Sequence, residues 1–434
     1  MATPGTVPTA TTAPDEPRPD VLAYPSPTTS RFLVFLVALL SAGVFVGVWL
    51  HNQVLYDDWL RVVARCNQVT PQQVTGEPAV RAALARTAAA QRCQAGVDRR
   101  RAAFAFGGAA AAGTAGLAVL YVVPGLLERR RRLRPLVPAL RPAAERVDEL
   151  ATEAGLARAP TLVLGAATQR DGFSYGTPGR YRIALPRVVA VRWRNTALFD
   201  PLVRHELAHV AHRDVALSWL ARSVWYALAP LLALPVVVIL LSRDRSILGD
   251  YLWRAVLFAV MVQLVSHALL RSREHDADLR AAQAGGGPEP VAALVAQVRD
   301  PGRSSWYRRL LANHPSPAGR LAVLERPELA AGVSFLDGLT AGFLAALAGP
   351  LIVQASVPLL MGSLRSDLAL VAAVLVAGPL LGGSVGLGLW RAALVQRVAG
   401  GSVRPARVAF GVAAGLLLGQ VASLAQTGVE SSAG

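Results

Sequence analysis

The chain has 434 residues, of which 53% are hydrophobic and only 17% charged, and its mean hydropathy is +0.40. That balance excludes an ordinary soluble enzyme and matches a protein that crosses a membrane several times. The formal charge of +16 does not mark a nucleic-acid binder: the basic residues, all of them arginine, gather at the edges of apolar runs, where positive charge orients a membrane protein.

Residues 1–30 are rich in Pro, Thr and Ala and read as a disordered tail. They lack the basic start of a signal peptide, so the first apolar run is expected to stay as an anchor. Seven long apolar runs follow, at Phe32–Leu50, Ala102–Leu127, Leu217–Leu241, Leu252–Leu270, Leu336–Met361, Leu368–Trp390 and Val408–Leu424. Each is about long enough to span a hydrocarbon core at ~1.5 Å per residue. The only cysteines, Cys66 and Cys93, both lie between the first two runs. They predict an outward-facing disulfide, with two unpaired thiols as the alternative.

The arginine cluster in LLERRRRLRP, from Leu126, closes the second run. Positive-inside logic then puts residues 128–216 in the cytoplasm, together with the N-terminus. The cysteine segment falls outside, residues 271–332 return inside, and the C-terminus ends outside. The basic, acid-free stretch LWRAALVQRVAGGSVRPAR and the unbasic tail TGVESSAG agree with that count. The expected divisions are therefore a tail (1–30), two spans with the outward loop (31–127), a core containing the hairpin 217–270 (128–332), and three further spans (333–434). Within the core, TLVLGAATQRDGFSYGTPGRYRIALPRVV alternates like two short strands about a Gly- and Pro-containing turn.

Three of the seven histidines sit in LVRHELAHVAHRD, from Leu202 to Asp214. His205-Glu206-x-x-His209 places two imidazoles four residues apart, on one face of a helix, where they can converge on one ion. Neutral imidazoles suit zinc, which lowers the pKa of a bound water. Glu206 is then placed to accept that water's proton and hand it to a leaving amine. A third ligand has to come from elsewhere, and SREHDADLRAA supplies it just after the fourth run. A hairpin of the third and fourth runs returns both clusters to one side of the membrane. Glu274 has the reach of a ligand, and Asp278, on the same face, suits a hydrogen bond to a ligand histidine. His275 points elsewhere. His212 lies one turn too far along to join the same ion.

These motifs resemble the HtpX and CAAX-prenyl-protease family of integral-membrane zinc metallopeptidases. The resemblance rests on His205-Glu206-x-x-His209 with Asp214, on Glu274-x-x-Ala277-Asp278 preceded by Ser272-Arg273, and on NHPSPAGRLAVL with His314 and Arg320. It covers roughly Leu126 to Leu324, under half of the chain. It implies one zinc ion per chain on His205, His209 and Glu274, Glu206 as general base, and supporting roles for Asp214 and Asp278. It further implies that His314 or Arg320 approaches the oxyanion, and that Phe173, Ser174 and Tyr175 lie on an edge strand for an extended substrate. Here Asp171-Gly172-Phe173 replaces the family's Asn-Ala-Phe, a departure that bears on how substrate is aligned.

The implied fold is mainly α: a polytopic membrane protein of about seven transmembrane helices with a cytoplasmic α+β zinc metallopeptidase domain of HtpX-like type. The implied function is endopeptidase action on membrane or membrane-associated proteins in a bacterial plasma membrane, with protein substrate and lipid as partners and the oligomeric state open. Two rivals remain. One is a signalling protease of the antibiotic-sensor type, for which the outward loops are short. The other is a scaffold or transporter with a vestigial site, against which the intact Glu206 stands. In the last spans, Gly378-x-x-x-Gly382-x-x-x-Gly386 and Gly411-x-x-x-Gly415-x-x-x-Gly419 read as helix-packing faces, or else as a dimer or docking face. Asp337, at a span end, reads as interfacial.

Overall fold

A computed structural model describes residues 20–68, 79–169, 171–241, 245–246, 248–298, 314–356 and 365–428. Most of the expected tail, the end of the fifth apolar run at Met361 and the last six residues lie outside the described residues. Residues 20–30 already have structure. Val21–Ala23 form a 3-10 turn capped by Asp20, and helix α1 (Pro27–Asn67) starts at Pro27 behind the N-cap Ser26. Pro at N1 and a serine cap satisfy the first orphan amides, which is why the helix begins there.

Among the described residues, seven helices are long and apolar enough to cross a membrane. α1 and α2 (Ala79–Arg131) run on well past their apolar stretches, so the segment expected as a loop is largely helix. Cys66 on α1 is disulfide-bonded to Cys93 on α2. After the soluble segment, α6 (Val215–Ser223) and α7 (Trp225–Leu241) form one crossing, and α8 (Leu248–Ala284) returns as a single 37-residue helix. Polar ties fix the register of this hairpin: Ser266 Oγ donates to Ala221 O at 2.7 Å, and Trp225 Nε1 donates to Gln263 Oε1 at 2.5 Å.

The last spans are α11 (Phe335–Ser356), α12 (Arg365–Leu381) leading through a π-helical turn at Gly382–Gly386 into α13 (Leu387–Val398), and α14 (Pro405–Gly428). Phe343, Leu380 and Val408 share one apolar core with Phe35, Leu228 and Leu270 from the earlier helices. Arg31 on α1 clamps Asp337 on α11 with two bonds of 2.8 and 3.0 Å, so this half-buried acid at the span end is ion-paired. The two glycine stripes differ. A Cβ at Gly411, Gly415 or Gly419 would come within 2.1–2.4 Å of the α11 carbonyls of Phe335, Leu339 and Phe343, so that stripe is a close helix crossing. Gly378 and Gly382 have nothing within 4 Å, and that stripe packs against no described element.

The soluble part is a four-stranded sheet in the order β1-β2-β4-β3, with helices on both faces. β1 is Arg134–Pro135, β2 Thr161–Leu164, β3 Phe173–Thr177 and β4 Arg180–Leu185. The stretch expected to hold two strands thus holds three. The extra strand is β2, which pairs parallel to β4 while β3 and β4 form the antiparallel hairpin. That hairpin turns at Pro178-Gly179, where Gly179 takes the positive φ of +81° that position i+2 of a type II turn demands. One face of the sheet buries Ile183 and Leu185 against α3 (Arg141–Glu153) and α5 (Thr196–Ala211). The other buries Val163, Tyr175 and Ala184 beneath Leu127 and Leu133 at the end of α2 and Trp219 of α6. The remaining helices are α4 (Arg187–Val191), α9 (Glu289–Ala296) and α10 (Pro317–Glu325).

Candidate metal centre

Phe199, Val203 and Leu207 recur every four residues along α5 and are fully buried against the sheet. That apolar stripe sets the helix rotation and turns His205 and His209 towards α8. α5 ends at His212, and Arg213 takes a positive φ of 55° before Asp214 opens α6. The tight turn brings Asp214 back beside His209.

His205, His209 and Glu274 each offer one donor atom within 4.8 Å of the other two, and all three residues are buried. The Nε2 atoms face the Glu274 carboxylate, at 3.7 Å for His205 and 4.0 Å for His209. The Nδ1 atoms face other carboxylates, Asp278 Oδ1 at 2.9 Å from His205 and Asp214 Oδ1 at 3.5 Å from His209. Each imidazole is thus oriented from behind by an acid, with its second nitrogen turned to a common point, the arrangement that sets tautomer and ring angle in metal-binding histidines. Two imidazoles and a carboxylate also make a donor set that suits a divalent ion. Burial works against a charge on His205, yet the Asp278 and Glu274 carboxylates override it and push its pKa up to about 10. Glu206 is 4% exposed, and its Oε2 has no hydrogen-bond partner among the described residues.

The shell around these groups is rich in arginine. Arg320, near the start of α10, donates to both oxygens of Asp278 at 2.7 and 2.6 Å. Its guanidinium is therefore held by Asp278, the acid that faces His205 Nδ1. His314 lies against the cluster: Nδ1 is 3.1 Å from Glu274 Oε2, and its side chain is 56% exposed. It does not cap α10; Ser316 does that by accepting from Gly319 N. Arg273 lies buried between Glu274 and Asp214, at 3.5 and 4.0 Å. His212 and His275 stay outside the cluster.

β3 forms one edge of the sheet. A two-residue hairpin loop makes Thr177 and Arg180 the closing hydrogen-bonded pair, so alternation turns the peptide groups of Ser174 and Gly176 to the free side. Phe173 and Tyr175 bond inward to β4, and the Tyr175 hydroxyl reaches Glu128 on the far face at 3.2 Å. Ser174 O already accepts from Trp219 Nε1 at 2.9 Å. The edge is thus partly covered by α6.

Sequence reasoning passed over Arg222 and Trp219 and gave Arg273 no role beyond its place in a motif. Arg222 left a signal, since an ionisable residue inside an apolar run marks a functional position. Trp219 left none, because its indole matters only once α6 lies over β3.

Residues 142–328 match the family model described as Peptidase family M48. Relatives named protease HtpX homolog are similar over 35–40% of the chain. That of Halobacterium salinarum is 28% identical over 156 residues, 35% of this chain and 52% of its own length. That of Thermococcus kodakarensis is 24% identical over 178 residues, 40% and 60% of the two chains. That of Burkholderia thailandensis is 27% identical over 158 residues, 35% and 54%. The chain thus spans a little over half the length of the curated relatives it matches, and no solved structure matches it significantly. Residues 142–328 are thus similar to peptidase family M48, in a chain whose described residues include seven helices long and apolar enough to cross a membrane.

Proposed function

We propose that the chain is a membrane-embedded zinc endopeptidase that hydrolyses peptide bonds of membrane-associated proteins at the cytoplasmic face. The observation that carries this reading is the double backing of the two imidazoles by Asp278 and Asp214, with both Nε2 atoms turned to Glu274. His205, His209 and Glu274 would hold the ion. When bound, zinc supplies a Lewis acid and a water acidic enough to ionise near neutral pH.

The rest of the chemistry belongs to the chain. Glu206 takes the proton of the attacking water on its unpartnered oxygen and returns it to the leaving amine. His314 keeps Nε2 on Arg222 and turns its Nδ1–H from Glu274, at the exposed side of the site, towards the carbonyl oxygen as negative charge develops there. Arg320 holds Asp278, and Asp278 fixes His205. Extended substrate pairs with the outward Ser174 N–H and the peptide groups of Gly176, since Trp219 holds Ser174 O, and this favours backbone recognition over any one side chain.

The basic cluster Arg129–Arg132 at the end of α2 supports a cytoplasmic site in the plasma membrane. The test is Glu206→Gln, which keeps size and removes the base. Metal content should remain, and cleavage should fall by about 100-fold or more. Undiminished cleavage by that variant rejects the mechanism.

A further inference from the structure

One guanidinium beside the centre has no carboxylate of its own. Arg222 lies on α6, about two turns beyond Asp214. Its Nη2 meets His314 Nε2 at 3.0 Å, and its guanidinium carbon lies 5.5 Å from the ring centre of Trp219. Its Nε is buried without a hydrogen-bond partner, and among the described residues no acid stands within ion-pair distance. The neighbouring arginines are engaged, Arg320 by Asp278 and Arg273 by Glu274. A cation withdrawn from water without a counter-ion is costly, and an anionic ligand removes that cost.

The position of Arg222 says where the anion would come from. His314 bridges it to Glu274, with 3.0 Å on one side and 3.1 Å on the other. The guanidinium is therefore one imidazole away from a carboxylate of the centre, about two to three residues of extended peptide. It also stacks on the indole that bonds Ser174 O at the free edge of β3. Further along, Trp219 meets Phe173 edge-on at 6.1 Å, and the Arg131 guanidinium covers Phe173 at 5.1 Å. The substrate edge thus runs between two positive groups.

We propose that Arg222 is a specificity-determining residue that binds a substrate carboxylate, two to three residues from the scissile bond. This rests on the peptidase reading above. The carboxylate belongs to an acidic side chain or to the substrate's C-terminus, and Arg131 extends the same preference along the edge. A residue present only to balance Glu206 and Glu274 would shift metal affinity and leave peptide preference alone.

The experiment uses the full chain with Glu206→Gln in lipid nanodiscs, so that peptides bind without being cut. Four fluorescent peptides of one length are compared by anisotropy: an internal Glu with an amidated end, Gln with a free C-terminal carboxylate, Gln with an amidated end, and Lys with an amidated end. At least one carboxylate peptide should bind about tenfold tighter than the neutral one, and which one does so identifies the source. The Lys peptide should bind weakest, and added salt should narrow the differences. Adding Arg222→Gln should bring the peptides level, whereas Arg222→Lys should keep part of the preference. Equal binding of all four peptides with Arg222 intact overturns the proposal, whatever the variants do. So does a preference that survives Arg222→Gln. If the preference holds but the chain with Glu206 intact cleaves nothing, the peptidase reading fails and the anion site stands.

Discussion

Replacing Asp278 with Asn tests the centre where its geometry is tightest. Asp278 is fully buried, and both its oxygens are occupied: Oδ2 accepts from Arg320 Nε at 2.7 Å, while Oδ1 accepts from Arg320 Nη2 at 2.6 Å and faces His205 Nδ1 at 2.9 Å. The amide keeps the volume, removes the charge and sets an NH2 against a donor, either the guanidinium or the imidazole. Acids that back a ligand histidine contribute about 10- to 100-fold in metal affinity, or about 1.4–2.8 kcal/mol. Asp278→Asn belongs at the upper end of that range. Asp214 faces His209 at the longer 3.5 Å, so Asp214→Asn belongs at the lower end. Arg320→Gln should fall between them, because it leaves the carboxylate and loosens its hold. Competition with a chromophoric chelator measures the three affinities, and thermal unfolding shows that the variants are folded. A folded Asp278→Asn chain that binds zinc within about twofold of the parent would refute the reasoning.

Three further outcomes follow from the same structure. His205, raised from 6.5 to about 10, stabilises the metal-free chain fully below pH 6.5 and loses that contribution as pH rises through 10. Thermal unfolding should show the metal-free chain weakening across that window while the zinc-loaded chain, which holds no proton there, does not; a metal-free chain that strengthens contradicts it. Arg31→Gln leaves the half-buried Asp337 with Ser334 as its donor and should cost about 1–3 kcal/mol, part of which Asp337→Asn in the same chain should restore; additive losses in unfolding measurements would argue against coupling. Gly415→Ala drives a methyl to 2.1 Å from Leu339 O and should cost about 1–3 kcal/mol, whereas Gly378→Ala meets nothing and should be silent in the same melts.

The sequence made the centre legible because two independent periodicities meet there. A four-residue spacing puts His205 and His209 on one face, and the hairpin of apolar runs returns Glu274 and Asp278 to the same place. Neither argument needs tertiary contacts. What escaped depends on such contacts. β2 was merged with its neighbours because its partner β4 lies across a crossover, and parallel pairing leaves no local turn to announce it. The bond from Arg320 to Asp278 could not be read before α10 set the two together. Phe173 and Tyr175 seemed equal members of the edge until the hairpin loop length fixed which peptide groups face outward. The two glycine stripes have the same spacing, yet only Gly411, Gly415 and Gly419 have a helix against them.

α8 also ties the centre to the bilayer mechanically. The helix that carries Glu274 is the one that crosses the membrane, and no proline interrupts it. From Leu248 to Glu274 it measures about 39 Å. A tilt of about 3° about its outer end moves the Glu274 carboxylate by about 2 Å, a full metal–ligand bond length. Tilt is what a helix adjusts when the hydrocarbon around it thins or thickens. On the proposed reading, lipid chain length would become a variable of the coordination geometry, and activity measured in a detergent micelle and in a bilayer need not report the same site.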